Sequence, residues 1–281
     1  MSDIASTEDR LTCRDSWFVQ RSAVTASAPA PLPELLSAMG VEAAPSAART
    51  LPELKVPVWR VRAGAALLHE GASPESVHVV RSGSFKCLKT SEDGYEQVLA
   101  FAGPGEVLGF EAVSRGHHTA TVIALEDSTA YSLPLRELDR WRQRFPSLDH
   151  ALQFALSRQL VRAGEVAEMM AAVAAETRLA RFLVWLAGCM AERGQSSRRL
   201  YLRMSRRDIA SLLGVAHETV SRSFTALADW GCLRVDNREV EIVDEAALRA
   251  CTRGTRGAGD EGARAHAGTR PRPAARAALA A

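Results

Sequence analysis

Residues Met204–Gly231 read "MSRRDIASLLGVAHETVSRSFTALADWG". Ser205 with Asp208 three positions on is a capping-box-like helix start. Ile209, Leu212 and Leu213 follow at helical spacing, and Gly214 ends the helix in a tight turn. "VAH" then leads into a second helix. Val220, Phe224 and Leu227 share one side of it, spaced four and three, which predicts that this side packs against the first helix. Glu218, Ser221, Arg222 and Thr225 fall on the other side. Helix, short glycine turn, helix is the spacing of a helix-turn-helix.

The polar side of the second helix has two explanations. It is an ordinary solvated face, with Glu218 and Arg222 as an i,i+4 ion pair worth about 0.2–0.5 kcal/mol. Or it faces base edges, as the N-terminal part of a recognition helix does. The residue types suit the second task. Arg donates twice to guanine O6 and N7, Glu accepts from cytosine N4, and Ser serves as donor or acceptor. Downstream, "GCLRVDNREVEIVD" supplies two short strands about Asp236-Asn237, a wing hairpin. A solvated face requires neither the capped helix and glycine turn upstream nor the wing downstream, so DNA is the predicted partner. Arg222 and Glu218 are the predicted base readers, with Ser221 beside them, and Thr219 belongs to the same predicted DNA-binding set. His217, Ser205, Arg206 and Arg207 are assigned to phosphates or flanking contacts.

Upstream of this domain, "AETRLARFLVWLAGCMAERG" is an amphipathic helix with Leu179, Phe182, Leu183 and Leu186 on one face, closed by Gly194. From Ser147 to about Ala175 a long helical pattern carries Leu152, Leu156, Leu160, Ala163, Ala167, Met170 and Ala174 at three/four spacing. That narrow seam predicts a contact between two copies of the chain; packing on its own domain is the alternative. Pro57 to Leu133 reads differently, as many short strands rich in Val, Leu, Thr and aromatics. "RSGSF" (Arg81–Phe85) predicts a tight hairpin turn, and "EDGYE" (Glu92–Glu96) a hairpin built on Asp-Gly. The fold class is therefore α+β: an antiparallel β-roll, a long dimerisation helix and a C-terminal winged helix-turn-helix. The expected segments are a flexible lead-in over 1–50, the roll over 51–145, the dimer helix over 146–175, the winged domain over 176–251 and a disordered basic tail over 252–281. Within the lead-in, a short helix around Pro33–Met39 is allowed for.

Bulk properties narrow the classes. The chain has 281 residues, 47% hydrophobic and 24% charged, with a formal net charge of +2. This charge is too small to demand a nucleic acid, so the DNA assignment rests on local pattern alone. The N-terminus lacks the apolar core of a signal peptide, and "LARFLVWLAGCMA" falls short of the roughly 20 apolar residues of a membrane span. A cytoplasmic protein is expected. The five cysteines, Cys13, Cys87, Cys189, Cys232 and Cys251, form no CxxC pair. No Ser-His-Asp set, phosphate-cradling glycine loop or paired-carboxylate motif is present, and no enzyme is expected.

The residues quoted resemble the CRP/FNR transcription regulators, over about Pro57 to Ala250. The closest likeness is to the FNR branch. "MSRRDIASLLGVAHETVSRSFTALADWGCL" is similar to its helix-turn-helix, with E-x-x-S-R at Glu218, Ser221 and Arg222. "LGFEAVSRGHHTATVIALE" resembles its sensor segment, and "RSGSFKCLKTSEDGYEQV" its hairpin. The resemblance implies a cyclic-nucleotide-binding-like β-roll, a homodimer, a palindromic site with TTGAT-like half-sites about 34 Å apart, and RNA polymerase as a further partner.

The family's effectors are the point of departure. The FNR branch holds a [4Fe–4S] cluster on four thiolates. Here its N-terminal cysteine cluster is reduced to Cys13, and its fourth ligand position falls on Tyr131, so no cluster is expected. The cyclic-nucleotide branch uses a Gly-Glu pair for the ribose and an Arg for the phosphate. Phe110 and His118 stand in those places, which removes the fixed cation. Arg115 or Glu111 would have to compensate. His117 and His118 are adjacent and point to opposite faces of a strand, a poor geometry for one metal. Two alternatives stay open: a cAMP- or cGMP-responsive regulator of the same fold, and a module whose winged helix contacts protein only.

Overall fold

The structure is a computed structural model that describes residues 23–41 and 54–253. It divides between Gly164 and Glu165 into two compact units.

The first unit holds two antiparallel sheets. One has five strands in the order β1-β2-β9-β4-β7: β1 (Val24–Pro31), β2 (Lys55–Val61), β9 (Ser128–Pro134), β4 (Ser76–Ser82) and β7 (Val107–Leu108). The other has four in the order β3-β8-β5-β6: β3 (Ala66–Leu68), β8 (Thr121–Ala124), β5 (Phe85–Thr90) and β6 (Glu96–Ala102). The two-residue side-chain period builds two cores from the five-stranded sheet. Val61 and Val80 face the second sheet and join Leu68, Phe85, Ala102, Leu108, Val122 and Ala124. Val56, Val58, Val77, Val79, Tyr131 and Leu133 lie in a separate core with residues of three helices. These are α1 (Leu32–Ala38), α3 (Leu135–Arg144) and the first turns of α4 (Pro146–Ala171). A short helix α2 (Ala112–Arg115) follows β7.

The structure corrects three expectations here. The described part of the 1–50 lead-in is ordered: β1 pairs antiparallel with β2, and Leu32, Leu35, Leu36 and Met39 are fully buried. Pro29 and Pro31 are tolerated because β1 is an edge strand, with a register irregularity between Ser27 and Ala30. "RSGSF" turns the chain, but β4 and β5 belong to different sheets, so it is a crossing and not a hairpin. The Asp93-Gly94 hairpin forms as expected, pairing Thr90 with Glu96. Finally, α4 ends at Ala171. Ala174 is the extended N-cap of the next helix, and Leu152 is already buried, so neither belongs to a free seam.

The second unit contains α5 (Ala175–Glu192), β10 (Arg199–Tyr201), α6 (Arg206–Leu213), α7 (His217–Asp229), β11 (Leu233–Asp236), β12 (Glu239–Ile242) and α8 (Glu245–Cys251). The helix α5 packs against α7 and α8 through a face that buries Leu179, Phe182 and Leu183. The wing hairpin stands where the sequence puts it, with β10 added as a third strand in the order β10-β12-β11. Thr252, assigned to the tail, caps α8, and its carbonyl accepts from Arg181 Nε at 2.9 Å. Cys13 and the tail from 254 lie outside the described residues. Among the described residues no helix is long and apolar enough to cross a membrane.

Candidate nucleic-acid interface

The site begins with the cap of α6. Ser205 Oγ accepts from the Asp208 backbone N–H (3.1 Å), and Asp208 Oδ2 accepts from the Ser205 N–H (2.9 Å). The reciprocal box fixes where α6 starts. It also commits the Ser205 hydroxyl, which donates to the same Oδ2 at 2.7 Å. At the other end Gly214 sits in the left-handed region (φ 62°, ψ 42°). Arg178 reaches from α5 to close this end: Nη1 donates to Leu213 O at 2.7 Å and Gly214 O at 3.3 Å, and Nε to Ala172 O at 2.9 Å. A guanidinium on the last carbonyls of a helix is favoured by the helix dipole as well as by the bonds. The sequence pattern gave no sign of this anchor.

The turn delivers α7 with its apolar side inward. Val220, Phe224 and Leu227 are buried, each contributing about 1.5–3 kcal/mol by leaving water. This burial sets the rotation of α7 about its own axis. Glu218, Ser221, Arg222 and Thr225 are consequently exposed together, as the spacing predicts. Ser221 and Thr225 hydroxyls donate to carbonyls one turn back, both at 3.3 Å. Arg222 Nη2 meets Thr219 Oγ1 at 3.5 Å, and the Glu218–Arg222 ion pair does not form. Both charged ends therefore remain available. No side chain caps the start of α7. Open N–H groups at a helix N-terminus suit a phosphate oxygen.

Around that start lies a cavity of about 300 Å³, lined by Ser205, Arg206, Arg207, His217, Asn237 and Arg238 among others. Arg207 and His217 are exposed and without a side-chain partner. Arg206 departs from expectation. It is half-buried, its guanidinium carbon lies 3.4 Å from the Phe224 ring centroid, and Nη2 donates to Asn237 O at 3.0 Å. Burial pulls its pKa down to about 10, so it stays charged at neutral pH. It is engaged inside the domain, where the sequence assigned it to a phosphate.

The roll carries the second candidate region. The strand expected at His117 and His118 does not include them: it starts at Thr121, and although His117 is exposed and His118 is 3% exposed, both line one cavity. His118 Nδ1 lies 3.6 Å from Glu111 Oε1. Glu111, Arg115, His118 and Thr119 line a cavity of about 620 Å³ with Glu70 and Lys89. Burial pushes the neighbouring His78 imidazole down to about 4, with His118 adding to the effect. Among the described residues no group of three or more His, Cys, Asp or Glu is placed to hold a metal ion.

Four of the five cysteines lie in the described residues. Cys87 belongs to the first unit and Cys189, Cys232 and Cys251 to the second. Burial pushes the Cys87 and Cys232 thiols up to about 12. Tyr131 is buried, and its hydroxyl donates to Glu34 on α1 at 3.0 Å. Arg81 pairs with the same carboxylate oxygen at 2.7 Å.

A capped helix-turn-helix with an exposed polar recognition face and a wing, on one chain with an antiparallel β-roll, defines a transcription regulator with a DNA-binding domain. Residues 58–145 match the cyclic nucleotide-binding domain family, and residues 177–251 match the Crp-like helix-turn-helix domain family. The chain belongs to the CRP/FNR family. It is 35% identical over 199 residues to the transcriptional regulatory protein btr of Bordetella pertussis, covering 71% of this chain and 82% of that one. It is 32% identical over 196 residues to the fumarate and nitrate reduction regulatory protein of Escherichia coli, covering 70% and 77%. The structure of FixK2 from Bradyrhizobium japonicum superposes with a TM-score of 0.63 at 25% identity, over 72% of this chain and all of that one. A CooA mutant from Carboxydothermus hydrogenoformans shares the fold, with a TM-score of 0.58 at 23% identity over 70% and 88%. The two curated relatives are regulatory proteins, and this chain is a transcription regulator of their family and not an enzyme.

Proposed function

We propose that the protein acts in the cytoplasm as a homodimer that reads a palindromic, TTGAT-like site through Glu218, Ser221 and Arg222. The observation that carries this is the division of α7: three buried apolar side chains on one face, and on the other an exposed Glu-Ser-Arg set with no internal ion pair. Arg222 reads guanine O6 and N7, and Glu218 accepts from cytosine N4. Thr219 orients Arg222 through its hydroxyl. Arg207, His217 and the open start of α7 hold phosphates. The half-site sequence is carried over from the FNR branch on the match at Glu218, Ser221 and Arg222.

Support for the dimer comes from α4. Leu160 is 77% exposed, and Ala163, Ala167 and Met170 continue its stripe at three/four spacing. A second copy of the same helix covers such a stripe. RNA polymerase is the further partner in this proposal. No resident cofactor is part of it: the resemblance leaves Cys13 alone where the FNR branch has its N-terminal cysteine cluster, and puts Phe110 and His118 where the cyclic-nucleotide branch has its Glu and Arg. The cavity beside Glu111 and Arg115, in the segment matching the cyclic nucleotide-binding family, favours a second reading in which a cyclic nucleotide is bound there. Calorimetry with cAMP and cGMP decides between them; absence of heat supports the first.

The function is tested by fluorescence anisotropy of the full chain on a TTGAT palindrome and a scrambled duplex across a salt series. The expected result is tighter binding to the palindrome and a steep fall of affinity with salt. Equal, salt-insensitive binding to both duplexes refutes the proposal and supports a protein-only role for the winged helix.

A further inference from the structure

Arg206 is the first residue of α6, and three observations place it between the recognition helix and the wing. Its guanidinium carbon lies 3.4 Å from the centroid of Phe224, on the inner side of α7. Its Nη2 donates to the carbonyl of Asn237 at 3.0 Å. Its Nη1 is buried without a hydrogen-bond partner. Asn237 is the one non-glycine residue with positive φ (50°) among the described residues, and it forms the turn of the wing between β11 and β12. Asn tolerates this conformation better than most residues, but an external hold on its carbonyl fixes the peptide plane.

The far side of the same turn is held too. Leu202 N–H donates to Arg238 O at 2.8 Å, and Arg238 Nη1 to Arg203 O at 3.1 Å. The wing turn is thus gripped from both sides by the segment that runs from β10 into α6. The Arg206 grip also touches α7, through Phe224. A half-buried cation with one unpaired nitrogen is costly in solvation. The face of Phe224 and the charge-assisted bond to Asn237 O offset part of that cost. A planar fork does both at once; an ammonium, with one compact charge, cannot stack and reach in the same way.

We infer that Arg206 is a positioning residue which ties the wing turn at Asn237 to the recognition helix at Phe224, so that wing and helix meet the duplex as one rigid surface. The inference rests on the DNA-binding reading only for its last clause. The tie itself is a property of the DNA-free protein.

The test uses the full-length chain with Arg206→Lys, Arg206→Gln and Arg207→Gln. Amide hydrogen exchange without DNA is followed over Arg234–Val240 and over α7. Affinity for the palindrome is measured across a salt series. Both Arg206 variants are expected to speed exchange in the wing turn while α7 keeps its protection. Affinity at fixed salt then falls roughly tenfold, as for loss of a charge-assisted bond, with the slope of log K against log salt unchanged. Arg207→Gln leaves wing exchange at the wild-type rate. The inference is overturned if wing exchange is unchanged in Arg206→Gln, or if Arg206→Lys behaves as wild type. A salt slope shallower by about 0.9, with unchanged wing exchange, assigns Arg206 to a phosphate instead. If the wild type shows no preference for the palindrome, the proposed function fails, while the exchange data still decide the tie.

Discussion

Gly214 sets the angle at which α7 leaves α6, and its replacement by alanine has a calculable cost. The backbone there is left-handed (φ 62°, ψ 42°). An L-residue in that region costs roughly 1–2 kcal/mol. Restricting the unfolded chain returns about 0.4–1 kcal/mol of this. A Cβ added at the site meets Met170 Cε at 3.4 Å and Arg178 Nη1 at 3.6 Å, which is ordinary contact, so sterics add little. The net expectation for Gly214→Ala is a loss of about 1 kcal/mol, which is roughly 4–8 °C in Tm for a domain of this size. Gly214→Asn loses less, because Asn tolerates the left-handed region. Gly214→Val loses more, because its branched carbons press on the Arg178 bonds to Leu213 and Gly214. Thermal unfolding followed by circular dichroism at neutral pH ranks the three. A stabilising alanine, or an asparagine worse than alanine, refutes the reasoning, since neither outcome is compatible with the cost of a left-handed turn.

Other expectations follow from the same geometry. Ser205→Ala removes the capping box and costs about 1 kcal/mol in urea unfolding; it leaves the salt dependence of DNA binding unchanged, because the hydroxyl is committed to Asp208. A shallower slope in that variant returns Ser205 to the phosphate contacts. His78 has its imidazole pushed down to about 4 by burial, from an ordinary 6.5. Between those values the unfolded chain binds the proton and the folded chain does not, so stability is complete above about pH 6.5 and declines as pH falls towards 4, by up to about 3 kcal/mol. Denaturation midpoints at pH 7 and pH 4.5 check this, and a His78→Gln variant with the same pH dependence as wild type contradicts it. Leu160→Asp places a charge on the α4 stripe and is expected to shift the protein to monomer in sedimentation and to weaken palindrome binding. An unchanged dimer removes α4 from the interface.

Legibility from sequence followed the range of the interactions. The α6 cap, the Gly214 turn and the polarity of α7 are set by residues within a few positions of one another, and their pattern is complete in the quoted stretch. The wing was readable from Asp236-Asn237 for the same reason. The strand β1 was not, because its Ala- and Pro-rich composition resembles a linker and only pairing with β2 makes it a strand. The crossing at "RSGSF" misled because a turn's sequence does not say which sheet receives the next strand. Within the site, the shared exposure of Glu218, Ser221 and Arg222 was legible from spacing. The Arg178 anchor and the internal contacts of Arg206 were not legible, because they depend on partners far along the chain, the α6 carbonyls in one case and Phe224 with Asn237 in the other.

The central claim is that the exposed face of α7 reads bases, and a base-by-base affinity profile tests it most directly. Every position of a TTGAT half-site is substituted in turn, and binding of the wild type and of Arg222→Ala is measured at one salt concentration. The account predicts that Arg222→Ala loses about 1–3 kcal/mol and loses its discrimination at one base pair, with the other positions read as before. A profile identical to that of the wild type, or a uniform loss at every position, contradicts it.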